Sequence, residues 1–159
     1  MSKDIIWATL EGKKKLEARL DELVSRRAEI AANIKAAREY GDLRENAEYA
    51  AAREAQNNLE MEINEIQANL PKVKVFSYAK VETDEVNVGT KVTVEIVGRK
   101  SKIDFVITGV LESDIENNYV SDKSPIGSAL MGKKVGDEIE VKVPAGKLKY
   151  KIIKIGKVS

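Results

Sequence analysis

Two carboxylates, Asp42 and Glu45, stand three residues apart between two long helical patterns. Carboxylate oxygens are hard ligands that suit Mg²⁺. The same Asp-x-x-Glu spacing is typical of a helix capping pair, and Gly41 can take the left-handed conformation that ends the preceding helix. Position favours the chemical role, because acids at the exposed end of a hairpin can enter another molecule. The residues alone therefore leave two roles open for Asp42 and Glu45, a capping pair and a pair of metal ligands.

The composition excludes several kinds of site. The 159 residues include no Cys and no His, which excludes disulfides, thiolate or imidazole metal sites, cysteine nucleophiles and histidine bases. The 27 basic residues nearly balance the 26 acidic ones, so no overall positive field favours indiscriminate nucleic-acid binding. The N-terminus lacks a signal-peptide pattern and no apolar run is long enough to cross a bilayer. We expect a cytoplasmic protein that does not contact membranes.

Two coiled-coil seams flank the acids. Apolar residues recur at alternating steps of four and three in both, which predicts an antiparallel helical hairpin with arms of roughly 45 Å. Alanine, glutamine and tyrosine near the tip predict a slimmer end there. Thr9 is the predicted cap of the first helix, which runs to about Tyr40, and Arg27 is expected to turn its charge outward. The seams are Leu16, Leu20, Leu23, Arg27, Ile30, Ile34 and Ala37, then Tyr49, Ala52, Gln56, Leu59, Ile63, Ile66 and Leu70.

The pattern becomes alternating and β-branched from about Val73. Ser124 and Pro125 predict the start of a short helix that runs to about Met131. The fold class is therefore α+β: a coiled-coil hairpin over residues 1–76 and a small, mostly antiparallel sheet domain over residues 77–159. This second part contains no catalytic constellation and no phosphate loop. The predicted strands are 91–97, 102–111, 138–143 and 149–155, with a weaker one at 73–78 and a short one at 119–120.

The chain resembles the bacterial GreA-type transcript cleavage factors over nearly its whole length. The tip motif at 37–49 (Ala-Arg-Glu-Tyr-Gly-Asp-Leu-Arg-Glu-Asn-Ala-Glu-Tyr) is specific, and 51–56, 124–127, 129–133 and 135–138 match as well. The resemblance implies a coiled coil that enters the secondary channel of RNA polymerase and an FKBP-like domain that docks at the channel rim. The docking motif would be Ser124, Pro125, Ile126 and Gly127.

The resemblance also assigns roles at the tip. Asp42 and Glu45 would help hold a catalytic Mg²⁺ jointly with the polymerase, so that backtracked nascent RNA is hydrolysed near its 3′ end. The factor would activate the polymerase and not cleave RNA alone, and we expect it to be a monomer when free. Arg44 would favour the ionised acids if it folds back, or it points to solvent. RNA phosphate contact or tip positioning is the implied role of Arg38, Arg44 and Arg53.

Three other functions compete with cleavage. A channel-occupying inhibitor of the polymerase would share this architecture, but we expect such a paralogue to carry a different, more acidic tip. A coiled-coil chaperone would be indifferent to Asp42 and Glu45. A stand-alone Mg²⁺ nuclease would need more clustered acids than the chain offers. Three features depart from the family pattern. Tyr40 stands where histidine is frequent, and Ser128 stands where a basic residue is common. The lead Ile6-Trp7-Ala8 also differs from the usual entry into the first helix, which we interpret as a change in packing.

Overall fold

The computed structural model describes residues 5–42 and 46–158 of the chain. These form two compact units, one made of Lys13–Lys72 and one made of Met1–Gly12 together with Val73–Ser159. This grouping differs from the predicted division at residues 76 and 77, because a short N-terminal strand, β1 (Ile6–Ala8), pairs with β2 (Val73–Val75). In the described ranges no helix is both long enough and apolar enough to cross a membrane.

The helical unit contains most of α1 (Leu10–Arg38) and all of α2 (Ala47–Asn69). Their ion pairs Arg19–Glu62 and Arg27–Glu60 join positions that rise along α1 and fall along α2, so the helices are antiparallel. The predicted seams are confirmed. The buried core of this unit is Leu23, Leu59, Ile63 and Ile66, with Leu16, Leu20, Ile30 and Leu70 packed against it.

Arg27 interrupts the apolar seam and is exposed, as predicted. Its guanidinium binds Glu60 on the other helix through two hydrogen bonds, Nε to Oε2 at 2.9 Å and Nη2 to Oε1 at 2.8 Å. Hydrogen bonding to Arg27 lowers the pKa of Glu60, and the same bond raises the pKa of Arg27. The arginine therefore replaces an apolar contact with a fixed ionic one that sets the register of the two helices.

The second unit is built on a sheet of five strands, β3 (Thr90–Ile96), β4 (Lys102–Thr108), β5 (Tyr119–Ser121), β6 (Glu138–Val143) and β7 (Gly146–Lys157). Their order in the sheet is β5-β4-β3-β7-β6. Its pairings are antiparallel except that of β4 with β5, which is parallel. A short helix, α3 (Pro125–Leu130), packs with buried Leu130 in the core beside residues such as Ile107 and Ile152.

The predicted strands correspond to β2 through β7, with two informative differences. β4 ends at Thr108 and not at Leu111, because Gly109 begins a 3₁₀ turn, Val110–Glu112. β1 was expected only as an apolar lead into the first helix. Three residues are too few for an alternating pattern to show, and β1 exists because a partner strand from beyond the hairpin lies beside it.

Candidate functional site at the hairpin tip

The turn that carries Asp42 begins where α1 ends. The backbone N–H groups of Glu39 and Tyr40 donate to Ala36 and Ala37, each at 3.2 Å, which tightens the last turn of the helix. Gly41 then has φ of 114°, a conformation that favours glycine and directs the chain out of the helix. Asp42 follows and is exposed. The sequence prediction of a glycine stop is confirmed.

The cap of α2 differs from the prediction. Helix α2 begins at Ala47, and its cap is Asn46, whose side-chain Oδ1 accepts a hydrogen bond of 3.0 Å from the N–H of Tyr49. Asp42 is therefore not the N-cap of this helix, because the helix starts four residues later than an Asp42 cap requires. The other half of the expected pair, Glu45, lies outside the described residues, as does Arg44, so their roles stay predictions.

Asn46 also reaches the other helix. Its Nδ2 donates to the carbonyl oxygen of Ala37, one of the last carbonyl groups of α1. One side chain thus satisfies an N–H at the start of α2 and a C=O at the end of α1, which closes the hairpin on both sides of the turn. Sequence reasoning missed this residue, although an asparagine directly before a helical run is a strong cap signal.

The predicted basic residues of the tip are held by the hairpin itself. The guanidinium carbon of Arg38 lies 5.9 Å from the centre of the Tyr49 ring, within the range of a cation–π contact. Arg53 donates from Nη1 to Oε1 of Gln56 at 3.1 Å on the exposed face of α2. Arg38 is therefore restrained beside the turn, whereas Arg53 lies one turn further along α2.

The tip end of the hairpin is lined mainly by small side chains, and the slimmer cross-section expected from them stays a prediction. A hollow of about 430 Å³ lies between the helices, floored by alanines such as Ala37, Ala51 and Ala52. Tyr40 stands at its edge and is 72% exposed, so the side chain next to the glycine turn is presented outward.

The chemistry of the tip fits a shared Mg²⁺ better than one held by this chain alone. Asp42 offers the oxygen ligand that Mg²⁺ prefers. Within the described ranges no group of three or more acidic side chains is arranged to hold a metal ion. An octahedral ion that keeps several waters and takes one or two carboxylates from this chain would need further ligands from a partner.

A second candidate surface lies around the start of α3. Ser124 caps α3 by accepting from the N–H of Gly127 at 3.1 Å, and its hydroxyl donates to the carbonyl of Ser121 at 2.6 Å. A Cβ on Gly127 would lie 1.9 Å from that same carbonyl oxygen, so only glycine allows this close approach. Pro125 at the first helical position is exposed.

An apolar hollow of about 400 Å³ opens beside these residues. Phe105, Tyr119 and Tyr150 form much of its lining, and Pro125 and Ile126 belong to it as well. Ile115, at its margin, is 83% exposed. The structure therefore brings three of the four predicted docking residues to one concave surface, while Gly127 is buried. The aromatic lining was not predicted, since the residues come from three separate strands.

One ionisable group beside this surface is perturbed. Burial raises the pKa of Asp122 above its usual value, and the neighbouring Lys123 opposes that shift. The Asp122 N–H donates to the carbonyl of Thr108 at 2.8 Å, which fixes the backbone before α3. A partly buried carboxylate thus sits two residues before the capping Ser124, held at a cost in solvation.

Comparisons with known proteins agree with the two parts of the chain. Residues 6–75 match the family model described as "Transcription elongation factor, N-terminal", and residues 81–157 match the one described as "Transcription elongation factor, GreA/GreB, C-term". The chain is 45% identical over 158 residues to the transcription elongation factor GreA of Thermoanaerobacter pseudethanolicus, covering 99% of this chain and 100% of the relative. It is 43% identical over 150 residues to GreA of Streptococcus suis, with 94% of each chain covered.

Solved structures show a more distant similarity. The GreA factor homolog 1 (Gfh1) of Thermus thermophilus is 22% identical, with 95% of this chain and 98% of that chain covered at a TM-score of 0.44. The GreA/GreB factor of Nitrosomonas europaea is 19% identical with the same coverage and TM-score. On the two family models and the identity over almost the full length, the chain belongs to the GreA/GreB family of transcription elongation factors.

Proposed function

We propose that this elongation factor inserts the tip of the α1–α2 hairpin into the secondary channel of RNA polymerase. There it stimulates Mg²⁺-dependent hydrolysis of backtracked nascent RNA and rescues arrested complexes. The observation that carries the proposal is the placement of Asp42, an exposed carboxylate just beyond the glycine turn that ends a 29-residue helix. Family membership supports the partner, because the relatives are named as transcription elongation factors.

The residues of the tip have separable tasks. Asp42, together with Glu45, would supply carboxylate ligands, and Asn46 ties the end of α1 to the start of α2. Arg38 would orient the turn through its contact with Tyr49, and Arg53 would meet RNA phosphate from the side of α2. When bound, Mg²⁺ lowers the pKa of a water and neutralises charge at the phosphodiester.

The factor itself would not be a nuclease. The described acids do not complete a metal site, so the free protein should bind Mg²⁺ weakly and leave naked RNA intact. The polymerase would supply the remaining ligands and the RNA. The protein would therefore act as an activator of cleavage by the polymerase, working as a monomer on one enzyme at a time.

The second unit would dock at the outer rim of the channel through the hollow beside α3. Pro125 and Ile126 present apolar surface there, and Ser124 fixes the helix that carries them. A pocket lined by aromatic side chains suits an inserted apolar side chain of a protein partner. Docking would supply affinity, so that the weakly binding tip is held near its target by a high effective concentration.

The test is release of 3′ RNA fragments from a stalled, backtracked elongation complex at fixed Mg²⁺. Wild-type protein should restore cleavage, and Asp42→Asn/Glu45→Gln should reduce the rate by about 100-fold or more while competing with wild type for the polymerase. Asp84→Asn/Glu85→Gln is the matched control, since it removes the same charges in a surface segment of the other unit. If the tip variant cleaves like wild type, the tip acids are not catalytic and the factor is a channel occupant or a chaperone.

A further inference from the structure

The N-terminal segment is seated on the 3₁₀ turn Val110–Glu112, far away in the sequence. Glu112 Oε1 accepts two hydrogen bonds from Thr9, one of 2.9 Å from its backbone N–H and one of 2.7 Å from its hydroxyl. The same hydroxyl accepts from the N–H of Gly12 at 3.0 Å, so it caps α1 as predicted. Glu112 therefore continues the cap of α1 from 103 residues away.

Two glycines make this seat possible. A Cβ at Gly12 would lie 1.9 Å from Oε1 of Glu112, and a Cβ at Gly109 would lie 1.5 Å from the backbone oxygen of Trp7. Neither glycine needs its flexibility here, since neither has a positive φ. They are needed because the carboxylate and the β1 backbone approach more closely than any side chain allows.

The carboxylate also occupies this place at a cost. Glu112 Oε2 is buried and has no hydrogen-bond partner among the described residues. An unsatisfied buried oxygen of this kind is rare in native structures and calls for a compensating interaction. The compensation available is the pair of bonds from Thr9 and the positive end of the long helix α1, which favours a negative charge within its first turn.

We propose that Glu112 is a positioning residue for transcript cleavage: its carboxylate fixes the first turn of α1, the helix whose other end leads into Asp42. This inference rests on the proposed function, because it gives the anchor a role in placing the catalytic tip. Since α1 is one continuous helix, a shift in the direction of its first turn is carried along its length. Small misplacements of a reacting group are costly in rate.

Two substitutions disrupt the anchor, the contact of the Glu112 carboxylate with Thr9 and Gly12, from its two sides. Glu112→Gln keeps the shape and removes the charge. Gly12→Ala keeps Glu112 but drives its carboxylate away, while raising the helix propensity of α1. A purely structural role predicts that each variant loses cleavage only to the extent that its stability falls, and Gly12→Ala regains part of that stability through its higher helix propensity. The positioning role predicts that both lower the maximal cleavage rate by about ten-fold at saturating factor. It also predicts unchanged affinity for the polymerase and a double variant no worse than either single one.

Glu116→Gln is the control, since Glu116 is exposed in the neighbouring 3₁₀ turn Ile115–Asn117. It should cleave like wild type. Equal maximal rates for wild type, Glu112→Gln and Gly12→Ala would overturn the proposal, and so would a loss confined to Glu112→Gln that follows its melting temperature.

A second measurement separates this inference from the proposed function. Amide hydrogen exchange of the free protein should be faster at Thr9 and Gly12 in Glu112→Gln than in wild type, because both amides are tied to this cap. Unchanged exchange there would overturn the anchor itself. If exchange rises but wild-type protein fails to stimulate cleavage, the proposed function fails and the positioning role fails with it, while the anchor stands as a structural feature.

Discussion

The side-chain amide of Asn46 donates a hydrogen bond to the backbone carbonyl of Ala37, across the turn that joins α1 to α2. Asn46→Ala removes this bond and the cap on Tyr49, so the free energy of unfolding should fall by about 1–2 kcal/mol. Asn46→Asp keeps the cap and should cost less. Urea denaturation followed by helical circular dichroism measures both, with the exposed Asn57→Ala as control. Equal stability of Asn46→Ala and Asn57→Ala would contradict the double role.

Substitutions at the contact between Arg38 and Tyr49 distinguish two roles for Arg38, tip positioning and direct contact with RNA phosphate. If the ring positions Arg38, Tyr49→Leu should lower cleavage stimulation about two- to five-fold, the factor expected for an exposed cation–π contact, and Tyr49→Phe should not. Arg38→Gln should then lower it to the same extent, and the double variant no further. A loss with Arg38→Gln but none with Tyr49→Leu would show instead that Arg38 contacts RNA phosphate directly. Cleavage rates of the four variants decide.

The Arg27–Glu60 pair should make hairpin stability depend on acid pH. Arg27 lowers the pKa of Glu60 below its usual value near 4.5, so the stabilisation is present above that value and is lost as pH falls through the lowered pKa. Wild type should melt higher than Glu60→Gln at pH 7, and the difference should vanish near pH 2. Exchange of the two residues, Arg27→Glu/Glu60→Arg, should recover more stability than either single reversal. Melting temperatures across pH provide the check.

Ionisation of Asp122 should destabilise the folded protein, whereas ionisation of Glu60 stabilises it. Burial raises its pKa above 3.8, so the folded state favours the protonated form and stability falls as pH rises through the raised pKa. Asp122→Asn should therefore melt about 1–2 °C higher than wild type at pH 7 and no higher at pH 3. Asp84→Asn, at an exposed position, should change neither. A lower melting temperature for Asp122→Asn at pH 7 would refute this account of the shift.

Local patterns were sufficient for the hairpin and for most of the sheet. The apolar seam with its four-three spacing continues on both sides of Arg27, since buried residues such as Leu23 and Ile63 lie on the predicted face. β6 was predicted to the residue, since it alternates and is bounded by Asp137 and Pro144. These elements follow from side-chain periodicity, which is written within one stretch of chain.

Contacts between residues far apart in the sequence could not be predicted from side-chain periodicity. The sequence predicts Thr9 as a cap. No residue near Thr9 in the sequence indicates that Glu112, 103 residues later, completes that cap. At the tip, Asp42 and Asn46 are both good caps by residue type, and the structure shows that Asn46 caps α2 and also donates to a carbonyl of α1. A local motif names the candidates, and the tertiary contact selects among them.

Because β1 pairs with β2 in parallel, the helical unit is an insertion between two neighbouring strands of the sheet unit, and another hairpin could replace it. The chain departs from the sheet unit after β1 and returns to it in β2, and Ile6 and Ala8 lie opposite Val73 and Val75. A graft joined at Gly12 and Val73 would therefore leave the strand order β5-β4-β3-β7-β6 and the seat of β1 intact. Hairpins with other tips could be exchanged on one sheet unit, and such chimeras would separate the contribution of the tip from that of the proposed docking surface.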